Sequence, residues 1–183
     1  MECFLAAYLP TLTFGKPSPI TLEEFDALAE ENLSKEKFAA IRSFSFPIPE
    51  EDPADCRDCH RIFAAVRRFE YTLKLRIAKI RAERLERDIE IAEPEEYFSE
   101  IEYMLNAAVS CSDPVEREMI IDRVRWDFIE DMSLGHMIDF EALCIYRLKL
   151  QILSPYTGRT PEDGVPRFEM ALETILGAAQ DNK

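Results

Sequence analysis

Apolar residues return every three to four positions through most of this chain, the period of a helix buried along one face. The pattern is clearest where Ile62, Val66, Phe69, Leu73, Ile77 and Ile80 follow one another with no Gly or Pro between them. It predicts one helix from about Pro53 to Ile91. At a rise of about 1.5 Å per residue that is a rod of about 50 Å, the longest element of the fold.

Capping chemistry divides the rest of the chain. Thr21 with Glu24 three residues later forms a capping box, opening a helix to about Glu31 that buries Leu22, Phe25 and Leu28. Ser34 starts another, with Phe38 and Ile41 inward. Pro94 takes the first turn of a helix whose inner face is Tyr97, Ile101, Leu105 and Ala108. Asp113, Pro114 and Glu116 supply an N-cap, an N1 proline and a capping-box acid for a helix to about Met132, which Gly135 ends. Asp139 caps a helix to about Leu153. A loop rich in Pro and Gly follows, then a last amphipathic helix bearing Phe168, Leu172, Ile175 and Leu176. Pro47 and Pro49 mark a surface loop. The first fourteen residues, broken by Pro10, read as an irregular segment tucked against the core before a turn at Gly15. The expectation is an all-α helical bundle of six to seven helices with one long central helix. It is read as a single domain over 1–183, divisible into lobes 1–52 and 53–183.

Composition supports helices: the 183 residues include only 5 glycines. No apolar run is long enough to span a membrane, and Glu2 stands where a secretory leader carries basic residues, so a cytoplasmic location is expected. There the five cysteines (3, 56, 59, 111 and 144) stay thiols. The formal charge of −14 is unevenly spread. Residues 57–87 hold ten basic and four acidic side chains, so one stretch of +6 lies inside a remainder of −20. Such a surface repels nucleic-acid phosphates outside that stretch.

Candidate chemistry is sparse. Cys56, Cys59 and His60 form a C-x-x-C-H string, the spacing of covalent haem attachment, which requires export. On a helix the three side chains share a face and suit zinc, with Cys111, Cys144 or His136 as a fourth ligand, none of them paired at finger spacing. Thiols and an imidazole on a helix flank are the plainer reading, and no metal or other cofactor is expected. With two histidines, no nucleophile elbow, no H-E-x-x-H and no phosphate loop, most hydrolytic mechanisms lack parts. Val165 stands where a phosphate loop needs Lys, and the Glu-x-x-His pairs of di-iron bundles are missing. The acids between Glu86 and Glu102 suit Mg²⁺ or a solvated helix face. The basic stretch suits nucleic acid or pairing with acidic neighbours.

Three stretches together resemble a known family. Leu9, Pro10, Phe14 and Gly15, followed by Glu24 and Phe25, resemble the start of a small bacterial family encoded among V-type (A/V-type) ATPase subunits. Phe69, Glu70, Arg76 and Arg81 resemble its central helix, and Phe140, Tyr146, Lys149 and Gln151 its C-terminal signature. Where the family reads Glu-Arg-Trp after this signature, the chain reads Ser154-Pro155-Tyr156. The family is similar to a shortened C (or d) subunit of the V-type ATPase. The resemblance implies a non-catalytic accessory subunit that couples the central stalk to the membrane rotor ring through protein contacts, binding neither nucleotide nor nucleic acid. It would sit at the inner face of the membrane through its partners. The alternative from the residues themselves is a cytosolic helical regulator that binds protein or nucleic acid through 57–87. A metalloenzyme is the third reading.

Overall fold

The computed structural model describes residues 2–46, 60–94 and 96–156. Seven α-helices and one short 3-10 turn make up the regular structure of these residues, with no strand among them. The helices are α1 (Glu2–Tyr8), α2 (Leu22–Asn32), α3 (Lys35–Ser43), α4 (His60–Arg84), α5 (Ser99–Ser110), α6 (Pro114–Met132) and α7 (Phe140–Leu153). The fold is all-α, and α4 is the longest of the described helices at 25 residues. None of these helices is long and apolar enough to cross a membrane.

The predicted caps are formed. Thr21 Oγ1 accepts from the Glu24 N–H at 3.1 Å while Glu24 accepts from the Thr21 N–H at 2.8 Å, so the box satisfies two orphan donors of α2. Ser34 caps α3, Asp113 caps α6 ahead of Pro114, and Asp139 caps α7. At Asp113 the cap forms without the box: Asp113 Oδ1 accepts from the Val115 N–H at 2.9 Å, one residue short of Glu116. Glu116 accepts from the Cys111 thiol at 3.0 Å instead of from the Asp113 amide.

Three boundaries differ from the expectation. Residues 2–8 are helical rather than irregular, because Leu5 is buried against α7 and α2 and that packing outweighs the nearby Pro10. The helix opened by Pro94 instead begins at Ser99, and Tyr97 stands exposed before it. Most consequentially, α4 stops at Arg84 rather than near Ile91. Glu86 takes φ +50, its N–H reaches the Glu83 carbonyl at 3.2 Å, and the Arg87 N–H reaches the Ala82 carbonyl at 3.0 Å. These are the two bonds of a Schellman stop, with glutamate in the left-handed position that glycine usually fills. The expected last amphipathic helix and proline-marked surface loop fall outside the described residues, as do residues 53–59, where the long helix is expected to begin.

Two buried clusters form the core. The larger gathers α1, α2, α3 and α7 with the first turns of α4 and the end of α6. Helix α7 is its axis. Leu143, Cys144, Ile145, Leu148, Leu150, Ile152 and Leu153 bury it on nearly every side. Its polar residues tie down the chain around it. Arg147, 5% exposed, grips Asp26 at 2.9 and 3.0 Å and donates to the Phe44 carbonyl. Gln151 pairs with the Phe44 carbonyl at 2.6 Å and the Phe46 N–H at 2.8 Å. The smaller cluster joins mid-α4, α5 and the first half of α6. Phe128 packs against both. It stacks on Phe69 at 4.0 Å and meets Phe98 edge-on at 5.7 Å.

Two measurements follow from this packing. Glu86→Gly removes a side chain from a left-handed position, and denaturant unfolding should show a gain of about 1 kcal/mol. Burial pushes the Tyr146 phenol, which donates to the Pro10 carbonyl at 2.8 Å, up to about 12. The folded pKa lies above the ordinary 10.0, so the neutral phenol's contribution is intact below pH 10.0 and lost as pH rises through about 12. Ultraviolet titration should show a late phenol that vanishes in Tyr146→Phe.

Candidate docking groove

The basic stretch on α4 is met by carboxylates supplied from the segment that follows it. After the Schellman stop, residues 87–94 and 96–98 run back along α4 as a strap. Arg87 is held at Ala82, Glu93 pairs with Lys79 at 2.6 Å, Glu96 with Arg68 at 3.3 Å, and the Phe98 ring meets Phe69 edge-on at 5.2 Å. The Lys79 hydrogen bond holds the Glu93 carboxyl below its ordinary value. Helix α5 then turns to run parallel with α4. Glu102 pairs with Arg76 and lifts the guanidinium pKa, while Arg84 donates to the Val109 carbonyl. The acids between Glu86 and Glu102 that suited Mg²⁺ thus include three that serve as ion-pair partners of α4.

On the far side α4 meets α6 through charge. Glu70, 3% exposed, accepts from two guanidinium nitrogens of Arg125 at 2.7 and 3.3 Å, and Asp122 accepts from the third at 2.8 Å. Burial works against the Arg125 charge, but the two carboxylates outweigh it and hold the pKa above the ordinary value.

Between these contacts lies an open groove of about 610 Å³. Lys74, Ala78, Arg81 and Leu85 are exposed at helical spacing along α4, Glu118, Ile121 and Arg125 face them from α6, and Ile89 and Ile91 of the strap close one end. Its floor is apolar: Leu85 is 64% exposed and Ile89 54%. Its rim is cationic. Glu118 is the one carboxylate among the lining residues, and Lys74, Arg81 and Arg87 make no ion pair with a described carboxylate. A smaller cleft of about 300 Å³ continues past Lys74 and Arg125 to Pro155.

The residues singled out in the sequence divide between packing and this groove. The first and third stretches meet in the larger core. Phe25 stacks on Tyr146 at 5.5 Å, Pro10 accepts the Tyr146 hydroxyl, and Phe14 and Lys149 both lie against Trp126. Leu9 packs on the same cluster, Gly15 supplies the positive φ of the turn before α2, and Phe140 is buried beneath Lys37. Phe69 and Glu70 bind α4 to α6, Arg76 holds α5, and Arg81 lines the groove.

Zinc ligands do not gather among the described residues that were considered for it. Cys144 is buried in the core, Cys111 is tied to Glu116, and Cys56 and Cys59 lie outside the described residues. His60 begins α4. His136, Asp139 and Glu141 bring one ligand atom each within 4.8 Å of the others. Asp139 is already committed there, accepting from His136 at 2.7 Å and from the Ala142 N–H at 2.9 Å. Beside this cluster the turn between α6 and α7 carries Leu134 and Met137, both more than 80% exposed.

The groove was not legible in the sequence. The signal present is a change of period: after Leu85 the apolar positions become Ile89 and Ile91, two apart, the mark of extended chain. Against known proteins, the chain matches no family model, no curated protein and no solved structure.

Removing Glu70 tests the link that sets the groove's width. Glu70→Ala leaves Arg125 with Asp122 alone and should cost about 3 kcal/mol in denaturant unfolding, while Glu70→Leu with Arg125→Met should be close to neutral.

Proposed function

We propose that this protein is a non-catalytic coupling subunit of a V-type ATPase or ATP synthase, joining the central stalk to the membrane rotor through protein contacts alone. One observation carries the coupling role. Exposed apolar surface lies at two places along α6, the groove over its middle turns from Glu118 to Arg125 and the Leu134–Ile138 turn just past its end. Ile121 and Met132, the last residue of α6 before the turn, are about 16 Å apart along the helix axis. Exposed apolar groups of this kind mark contact sites. A coupler needs two such sites on one stiff body. The stiffness comes from α6 itself, packed against α7 and α5 along its length and tied to α4 through Arg125. The specific machine rests on the resemblance of the three sequence stretches.

The regulator reading is weaker on physical grounds. Nucleic-acid binding draws on free cations, and Arg68, Arg76 and Lys79 of the basic helix are spent on Glu96, Glu102 and Glu93. The charge of −20 outside the stretch opposes a phosphate backbone.

The purified chain should neither bind nor hydrolyse ATP, and it should co-purify with central-stalk subunits. That association should weaken as salt rises, because exposed charges are screened over about 8 Å at physiological ionic strength. Micromolar binding to duplex DNA, lost when Arg67, Arg68, Lys74 and Arg81 become Glu, with no affinity for stalk subunits, would give the case to the regulator.

A further inference from the structure

We infer that the groove between α4 and α6 receives an amphipathic helix of a partner protein whose flanks carry carboxylates. The inference rests on the coupling reading and names the chemistry of the partner at one of its two surfaces.

Shape selects a helix. The exposed face of α4 from Lys74 to Leu85 is about 16 Å long, the rise of three helical turns. The groove is shallow, with Leu85 and Ile89 more than half exposed along it. A small molecule is normally enclosed over most of its surface, which these open walls do not provide. A helix needs one face covered and lays apolar side chains at i, i+3 or i+4 and i+7 into such a trough.

Charge selects the flanks. The protein as a whole carries −14, yet Lys74, Arg81 and Arg87 stand around this apolar floor with one opposing carboxylate, Glu118. Most neighbouring cations have been matched: Arg68, Arg76, Lys79 and Arg125 each hold a described acid. Among the cations with no described carboxylate, Lys74, Arg81 and Arg87 surround the same apolar surface. A helix with Glu or Asp beside its apolar stripe would meet them, while a basic helix would meet like charge at the rim. The acidic remainder of the surface would repel that same partner elsewhere and so restrict it to this site.

The test uses the full-length chain and a fluorescein-labelled model peptide of about 18 residues, with Leu at helical spacing and Glu on both flanks. Two controls carry Lys in place of Glu, or the same residues scrambled. Anisotropy titration should show the Glu peptide binding at least about tenfold tighter than either control, with affinity falling as salt rises. Changing Lys74, Arg81 and Arg87 together to Glu should reverse the preference toward the Lys peptide, a swap that misfolding would not produce. Ala78→Trp fills the floor without changing charge and should abolish binding of every peptide, with the helical circular dichroism unchanged. Equal binding of the three peptides, or indifference to both variants, would overturn the inference. So would binding that appears only when Phe168, Leu172 and Ile175 are changed to Glu, which would assign the groove to the chain's own C-terminal residues. Concentration-dependent dimers abolished by Leu85→Glu would assign it to a second copy and overturn the inference as well. Stalk co-purification is scored separately. Its failure with peptide binding intact removes the coupling reading alone, and peptide indifference with stalk association intact removes the groove alone.

Discussion

A buried carboxylate sets the terms for this fold. Glu70 sits on α4 with almost no solvent and must be neutralised where it lies, since an unpaired buried charge costs several kcal/mol. Arg125 is the group that reaches it, and Asp122, one turn earlier on α6, holds that guanidinium in place. The pair therefore gives α4 and α6 one register. A slide by a turn in either direction would strand Glu70. Phe69, next to Glu70, stacks on Phe128, three residues past Arg125, so the same register also seats the aromatic contacts that link the two hydrophobic clusters. Polar specificity and apolar packing coincide at this junction.

From that register the groove follows. Holding α4 and α6 through Glu70 and Arg125 leaves the next turns of α4, from Lys74 to Leu85, facing α6 across open space rather than against it. Helix α5 takes the other flank, filling the wedge with Ile101, Leu105 and Ala108. The strap comes back between Arg68 and Arg87, and its acids quench the cations they pass. Neutralisation of the basic helix is thus a consequence of chain direction: the acidic segment follows the basic helix in sequence and doubles back along it. Lys74, Arg81 and Arg87 stay unmatched by described carboxylates, and they surround the apolar floor.

How much of this the sequence disclosed depends on where each instruction resides. Thr21 with Glu24, Ser34, Asp113 with Pro114, and Asp139 all started helices where they were expected, because a cap is made by residues within three positions of one another. The end of α4 was read too late for the opposite reason. No Gly or Pro stands between His60 and Glu93, and the stop depends on Glu86 adopting a left-handed conformation that its own chemistry disfavours. What compensates is tertiary: the strap's ion pairs and the docking of Phe98. Helix α1 was missed similarly, its helicity coming from the burial of Leu5 against α7, far along the chain. Local chemistry reads as local structure, and pairings distant in sequence do not.

The same distinction separates what the three sequence stretches do. Phe25, Tyr146, Pro10, Phe14 and Lys149 look like signature positions along the chain, and in space they form one joint between the N-terminal helices and α7. Such residues say how the protein is built. Recognition falls to positions with no distinctive pattern, an exposed alanine at 78, isoleucines at 89 and 91, and lysine and arginines whose charge is left over from folding. A surface that works by docking has no need of reactive geometry. It needs apolar area that the fold could have covered and did not, and charge that the fold could have paired and did not. Both conditions hold together around the α4–α6 groove, where Leu85 remains largely exposed beside Arg81 and Arg87 in a protein with acids to spare.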